Sequence, residues 1–208
     1  TIFHLMGQHV NYKQRYRTKQ ARFWASSYED KRPELTNAQR KMLSHYDNAT
    51  LYNDSIVAQI VKRFQKQDAI IIYVPDHGEE CYEENRGFIC RNHSAEIDWP
   101  LAHYEFEIPF WIYCSPKYIR NHRDIYRQIR KAKDKRFMTD ALPHLLLYLA
   151  GIETPTYKEE YNILSPKYDE MRPRILKNSA DYDKLRDAHL EKIKKEESKK
   201  VKKKERRN

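Results

Sequence analysis

No apolar run in the 208 residues approaches the roughly 20 that a membrane-spanning helix needs. The N-terminus also lacks the basic start and small-residue cleavage site of a secretory signal. The chain opens on "TIFHLMG", mid-strand and without a lead-in, so the expectation is a piece of a longer protein. Cysteine is scarce: Cys81, Cys90 and Cys114 match no zinc spacing of the CxxC kind, which leaves no cysteine-built zinc ribbon. Cys81 and Cys90 are near enough in sequence to close a short loop in an oxidising compartment, and three ordinary thiols is the competing reading. The body of the chain also lacks the clustered basic and aromatic residues of a nucleic-acid module, so no nucleic-acid partner is expected.

Positive charge is plentiful, but it is unevenly placed. The formal net charge is +10. Leu190 to Asn208 holds ten Lys/Arg and four Glu, net +6, which leaves 10 − 6 = +4 for the other 189 residues. "EKIKKEESKKVKKKERRN" is poor in apolar residues and densely charged, as a frayed helix or a disordered tail is. A solvated tail and attraction to an anionic membrane surface are both open readings. With 39% hydrophobic residues, the remainder is long enough to fold around a single core.

Periodicity gives the elements. Ile2 to Met6 reads as a short strand ending at Gly7, and Tyr12 to Pro33 as a polar, aromatic loop. "TNAQ" at Thr36 to Gln39 is a capping box. Behind it, Met42, Tyr46, Ala49, Tyr52, Ile56, Ile60 and Phe64 recur every three or four residues, the stripe of a long helix. Ala69 to Val74 is a continuous β-branched run, expected as a strand covered on both faces, and Ile108 to Cys114 is a second. "SPKYIRNHRDIYRQIRKA" and "FMTDALPHLLLYLAGI" follow as helices. In the second, Thr139 is the expected cap, Pro143 lies in the first turn and Gly151 is the stop. The order of these elements predicts an α/β layered fold with a mostly parallel sheet and no internal repeat.

In open α/β sheets, ligands bind beyond the carboxyl ends of the strands. There the run "AIIIYVPDHGEE" places Asp76 and His77, an oxygen and an imidazole nitrogen that suit Zn²⁺ or Mn²⁺ far better than Ca²⁺. Gly78 lets the backbone turn away so that both side chains can face one ion. His4 and His9 stand at the end of the first candidate strand, and His93 lies in the loop after "DHGEE". These three loops are expected to bring histidine to one sheet edge. A core role for His4 and a surface role for His93 and His103 are the competing readings. His45, His122, His144 and His189 receive no role.

Taken in order, "FHLMGQH", "YDNATLYNDSIVAQIV", "IYVPDHGEE", "IPFWIYCS" and "FMTDALPHLLLYLAGI" resemble the C-terminal half of a phosphoethanolamine transferase domain. That family lies in the sulfatase-like branch of the alkaline phosphatase superfamily, and the similarity runs from about Thr1 to Leu176. It implies a three-layer α/β/α sandwich with a mostly parallel sheet, incomplete at the N-terminal side. Residues 1–180 would be the C-terminal part of the catalytic domain and 181–208 a basic tail. It implies the periplasmic face of a Gram-negative inner membrane, with transmembrane helices upstream. Carried over by position, Asp76 and His77 become zinc ligands, and His4, His9 and His93 become substrate-binding or second-metal residues. His9 is followed by Val10 rather than the family's glycine, and the loop holding His93 is longer than the family form.

The implied reaction is zinc-dependent transfer of phosphoethanolamine from phosphatidylethanolamine to lipopolysaccharide, on a core sugar or lipid A, through a threonine ester. The family's nucleophilic threonine and a glutamate ligand lie upstream, so the segment alone is expected to bind zinc weakly and to be inactive. The alternatives are a sulfatase or phosphohydrolase of the same superfamily and a non-catalytic domain that binds an anionic envelope glycan or lipid.

Overall fold

Helix α1 (Asn37–Phe64) starts at the expected cap. Thr36 Oγ1 accepts the Gln39 N–H at 3.3 Å, and Gln39 Oε1 accepts the Thr36 N–H at 2.7 Å. Its buried face is wider than the apolar stripe: Ala49 of the stripe is fully buried and Tyr46 packs against the core, but Leu43, Ser44 and Asn48 outside it are buried too, and Met42 is exposed. The cause is polar. Asn48 Oδ1 accepts the N–H groups of Arg22 and Phe23 at 2.6 and 3.1 Å, and its Nδ2 donates to the carbonyls of Phe23 and Ser44 at 2.8 Å each. A buried amide with all of these bonds made fixes the helix face as firmly as an apolar side chain does.

The computed structural model describes residues 1–88, 90–92 and 96–205. They fall into two units. The first comprises Thr1–Ile71, Glu79–Arg91 and Ser115–Tyr118, the second Ile72–Gly78, Asn92–Cys114 and Ile119–Asn208. In the first, Tyr12, Tyr28, Leu35, Leu43, Ala49, Cys81 and Tyr82 form the core. The loop read as polar and aromatic is therefore a supplier of core tyrosines, folded into short 3-10 turns at Tyr12–Gln14, Thr18–Gln20 and Ala25–Tyr28.

Strand β1 (Ile70–Tyr73) and strand β2 (Trp111–Cys114) form a two-stranded sheet inside the two runs expected to be strands. Tyr73 stacks on Trp111 with ring centroids 5.1 Å apart. Ser115, fully buried, closes the start of the next helix: its Oγ accepts the Tyr118 N–H at 3.0 Å and donates to the Gln67 carbonyl at 2.6 Å. Ile2–Met6 is not a strand. Ile2, Phe3 and Met6 are exposed, and no ladder partner lies beside them among the described residues. The described ladders are this pair and an antiparallel pair, β3 (Ile175–Leu176) with β4 (Ala180–Asp181), so the larger parallel sheet is not seen among them.

Between the strands lie α2 (Trp99–Leu101) and a π-turn over Ala102–Phe106. Asp98 caps this element through a 3.0 Å bond from the Leu101 N–H, and Pro100 stands in its first turn. The helix expected after β2 is two, α3 (Pro116–Asn121) and α4 (Arg123–Ala132), because His122 at φ −125°, ψ 51° leaves the helical region. Helix α5 (Leu142–Ala150) has Pro143 in its first turn and stops at Gly151, φ 65°, whose N–H returns to the Tyr148 carbonyl at 3.1 Å. Thr139 does not cap it. A 3-10 turn at Thr139–Ala141 runs directly into the helix, so Ala141 is already helical where a cap would be extended. Leu145, Ile163, Leu164 and Ala132 pack here with Ile72, Phe110 and Ile112 from the strand regions.

Helix α6 (Tyr182–Glu205) continues the chain. Its first turn is pinned by Asp183, which pairs with Arg136, with Arg174 at 2.6 Å and with Arg186 at 3.3 Å. The Arg174 hydrogen bond, first among these influences, lowers the Asp183 pKa. Tyr182 lies under the Arg174 guanidinium and donates to Glu107; burial first, then that bond, pushes its pKa up to about 12. A carboxylate whose folded pKa is depressed stabilises above its unfolded value, about 3.9, and the contribution is lost as pH falls through the folded value. Asp183→Asn should therefore cost about 2 kcal/mol in urea unfolding at neutral pH, with the difference from the parent shrinking below about pH 4.

Candidate functional site

The chain leaves β1 through Val74 and Pro75 into Asp76, His77 and Gly78, and the path of that turn is set by Gly78. Its N–H donates to the Glu105 carbonyl of the π-turn at 2.8 Å. A Cβ placed on Gly78 would stand 2.1 Å from the Tyr104 carbonyl oxygen, a backbone atom that cannot swing aside. Only glycine permits this approach. The π-turn is held in its own place by the side chain of Glu105, which is buried and accepts the Asn92 N–H at 2.7 Å. π-turns are rare and concentrate at functional sites.

Gly78 also orients His77. The His77 Nδ1 lies 2.7 Å from the Gly78 carbonyl oxygen. A carbonyl can only accept, so Nδ1 carries the hydrogen and the lone pair of the neutral ring belongs to Nε2. Nε2 stands 3.7 Å from Asp76 Oδ2, while Asp76 Oδ1 takes the His77 backbone N–H at 3.1 Å. Two acceptors facing each other are favourable once a cation lies against both. One Zn–O and one Zn–N bond sum to about 4.1 Å, so a single ion can reach the two atoms. Asp76 is 90% exposed and His77 19%, which leaves the oxygen side of the pair open to solvent. A backbone carbonyl on the far nitrogen is the usual support of a metal-binding histidine. The pair fits zinc as two donors of a set. Among the described residues, no group of three or more His, Cys, Asp or Glu is placed to hold an ion.

The other candidate histidines fall in the first unit or outside the described residues. His4 is exposed, in the first unit. His9, also in the first unit, has Nε2 3.0 Å from an Arg91 nitrogen and Nδ1 3.4 Å from the Val10 carbonyl. Arginine can only donate, so His9 is the Nδ1–H tautomer as well. Asp76 and His77 belong to the second unit, and His93 lies outside the described residues.

The acids that follow are structural. Glu79 accepts from the Tyr12 hydroxyl, and Glu80, with no exposed side-chain surface, is paired with Arg86 at 2.8 Å. Burial, then Glu79, drives the Tyr12 pKa upward, and burial does the same to the Cys81 thiol ahead of its acidic neighbours. Cys81, Cys90 and Cys114 are free thiols, and burial raises the pKa of each, so none has thiolate character. Sequence reasoning missed the π-turn and Arg91. The Asp-Trp-Pro start at Asp98 was the available signal for the first; for a lone arginine there was none.

Residues 1–152 match the family model described as Sulfatase, and the chain belongs to that family. Within it, the chain is 32% identical over 172 residues to a phosphoethanolamine transferase EptC of Escherichia coli O18:K1:H7 (strain RS218 / NMEC), covering 81% of this chain and 28% of that protein. It is 30% identical over 138 residues to a Kdo(2)-lipid A phosphoethanolamine 7''-transferase of Escherichia coli K12, covering 65% of this chain and 23% of that protein. The crystal structure of the C-terminal periplasmic domain of EcEptC from Escherichia coli in complex with Zn superposes with a TM-score of 0.69 at 28% identity, over 88% of this chain and 51% of that one. The chain thus spans about half of the solved domain and under a third of the curated relatives. The resemblance carried by the five motifs agrees with these relatives, and the sulfatase-like α/β class agrees with the solved fold.

If Gly78 sets the site, its replacement should be costly for a steric reason. Gly78→Ala is expected to lose about 3 kcal/mol by urea unfolding, as forced overpacking does. Gly87, at φ +85° with nothing within 4 Å of the place an alanine methyl would occupy, should lose only about 1 kcal/mol on the same change.

Proposed function

We propose that these 208 residues form the Asp-His part of a zinc-dependent phosphoethanolamine transferase. The observation that carries the reading is the Asp76 Oδ2 and His77 Nε2 pair, 3.7 Å apart, with the tautomer set by the Gly78 carbonyl. The reaction is transfer of phosphoethanolamine from phosphatidylethanolamine to lipopolysaccharide, on a core sugar or lipid A, through an ester on a threonine outside these residues. The named activities of the relatives support it, and the Zn complex of the EcEptC domain supports the choice of metal. Residues 1–180 serve as the C-terminal part of a sulfatase-like α/β/α catalytic domain whose full sheet is mostly parallel, and 181–208 as its basic extension. The domain works in the periplasm, tethered to the inner membrane by helices in the rest of the protein. In the described residues themselves, no helix is long and apolar enough to cross a membrane.

Asp76 supplies an anionic oxygen and His77 a neutral nitrogen to the metal, and the Gly78 carbonyl holds the His77 ring in place. When bound, zinc lowers the pKa of a hydroxyl nucleophile and offsets charge on the phosphoryl group. His9 stands beside the Arg91 guanidinium at 3.0 Å, a combination suited to binding an anion such as the substrate phosphate. His4 and His93 take supporting places in substrate binding.

Elemental analysis of the purified chain beside Asp76→Ala and His77→Ala tests the site. The parent should take up zinc weakly, and each variant should bind more than about a hundred-fold less, since losing a ligand exceeds the cost of losing its outer-shell partner. Zinc retained in both variants would overturn the assignment. With the complete protein, product from phosphatidylethanolamine and a lipopolysaccharide acceptor is expected. Turnover of an aryl sulfate or phosphate ester alone would make it a hydrolase, and glycan binding that survives chelation and Asp76→Ala without turnover would make it a binding domain.

A further inference from the structure

Helix α6 holds more charge than its packing uses. Its first turns are fastened: Tyr182 and Leu185 join the cluster of Ile97, Leu101, Ala102 and Leu176, Asp183 is held by arginines, and Trp99 stacks on His189 with centroids 5.2 Å apart. From Leu190 to Lys199 every residue is exposed. A helix of 24 residues rises about 36 Å at 1.5 Å per residue, so its second half extends well past the anchoring contacts.

Three of the four lysines between Leu190 and Lys199 share one face of the helix, and Lys194 lies away from it. Lys192, Lys195 and Lys199 stand at i, i+3 and i+7, which confines them to one stripe. Leu190 and Ile193 fall on the opposite flank. Glu191 answers Lys195 at 3.7 Å, but both side chains are about three-quarters exposed, so the pair neutralises little of the field. The segment 190–208 contains eight Lys against two Arg and no Phe, Tyr or Trp. Nucleic-acid sites favour planar arginine forks and stacking aromatics, whereas compact lysine charges suit a smooth, diffuse negative surface.

We infer that the exposed half of α6 is a docking face for an anionic phospholipid bilayer, which it meets with its Lys192, Lys195 and Lys199 stripe. With the aliphatic residues turned away from that stripe, contact is electrostatic and does not involve insertion. The inference is independent of the zinc pair. It adds to the catalytic reading a second hold on the membrane, one that is tuned by ionic strength.

Co-sedimentation of the full 208-residue chain with vesicles tests it. Vesicles in which phosphatidylglycerol replaces about a third of the phosphatidylcholine should carry the chain down, pure phosphatidylcholine should not, and about 0.5 M salt should release it. At about five-fold per lysine, Lys192→Gln, Lys195→Gln and Lys199→Gln together should weaken partitioning roughly a hundred-fold. All three positions are exposed, so the variant should keep the parent's melting temperature and its zinc uptake. Equal binding to neutral vesicles, salt-resistant binding, undiminished binding of the triple variant, or no sedimentation at all would overturn the inference. So would tighter, lysine-dependent binding to a mixed-sequence RNA than to the vesicles, which would assign the stripe to nucleic acid. None of these outcomes bears on the Asp76 and His77 assignment.

Discussion

The close approach of Gly78 to the π-turn at Ala102–Phe106 is the contact on which the site depends. One residue makes three linked commitments: its N–H is spent on the Glu105 carbonyl, its missing side chain admits the Tyr104 carbonyl, and its own carbonyl takes the His77 ring hydrogen. Backbone groups have fixed geometry, so this arrangement tolerates less drift than side-chain packing would. It turns a flexible Asp-His dipeptide into an oxygen and a nitrogen held at one separation. The π-turn is in turn secured by the buried Glu105 carboxylate and by the Asp98 cap, so the precision of two surface atoms is inherited from buried polar bonds.

Both units rely on such bonds. In the first, Asn48, Glu80 and the Tyr12 hydroxyl are buried or nearly so, and each has a partner that offsets its desolvation. In the second, Asp183 gathers three guanidinium groups at the start of α6 and fixes where the basic helix departs. Apolar clusters supply most of the driving force, but these polar fixtures choose which face of a helix turns inward and which loops take up a defined path.

Those fixtures mark how far the sequence could be read. The α1 cap, the runs of β1 and β2, Pro143 in a first turn and the Gly151 stop all follow from local rules, and the structure has each of them. The Asp76 and His77 pair was visible because it stands at the tip of an unmistakable strand. Ile2–Met6 has strand composition, but a strand exists only with a neighbour, and local pattern cannot supply one. The burial of Asn48 beside the stripe of α1 was hidden because hydrophobic periodicity is blind to a buried amide. The joining of α3 to α4 broke at His122 for a backbone reason that leaves no mark in composition. The Gly78 to Tyr104 contact spans 26 positions between two loops, and the only local sign of it was a glycine where the chain had to turn.

Whether Asp76 and His77, with its ring held by Gly78, are metal ligands decides the function of this chain. X-ray absorption at the zinc edge, on the purified chain loaded with less than one equivalent of zinc, tests this most directly. It should show a first shell of oxygen and nitrogen alone at about 2.0 to 2.1 Å, with the outer-shell signature of imidazole. A sulfur shell at about 2.3 Å, placing the ion on Cys81, Cys90 or Cys114, or a shell with no imidazole, would contradict it.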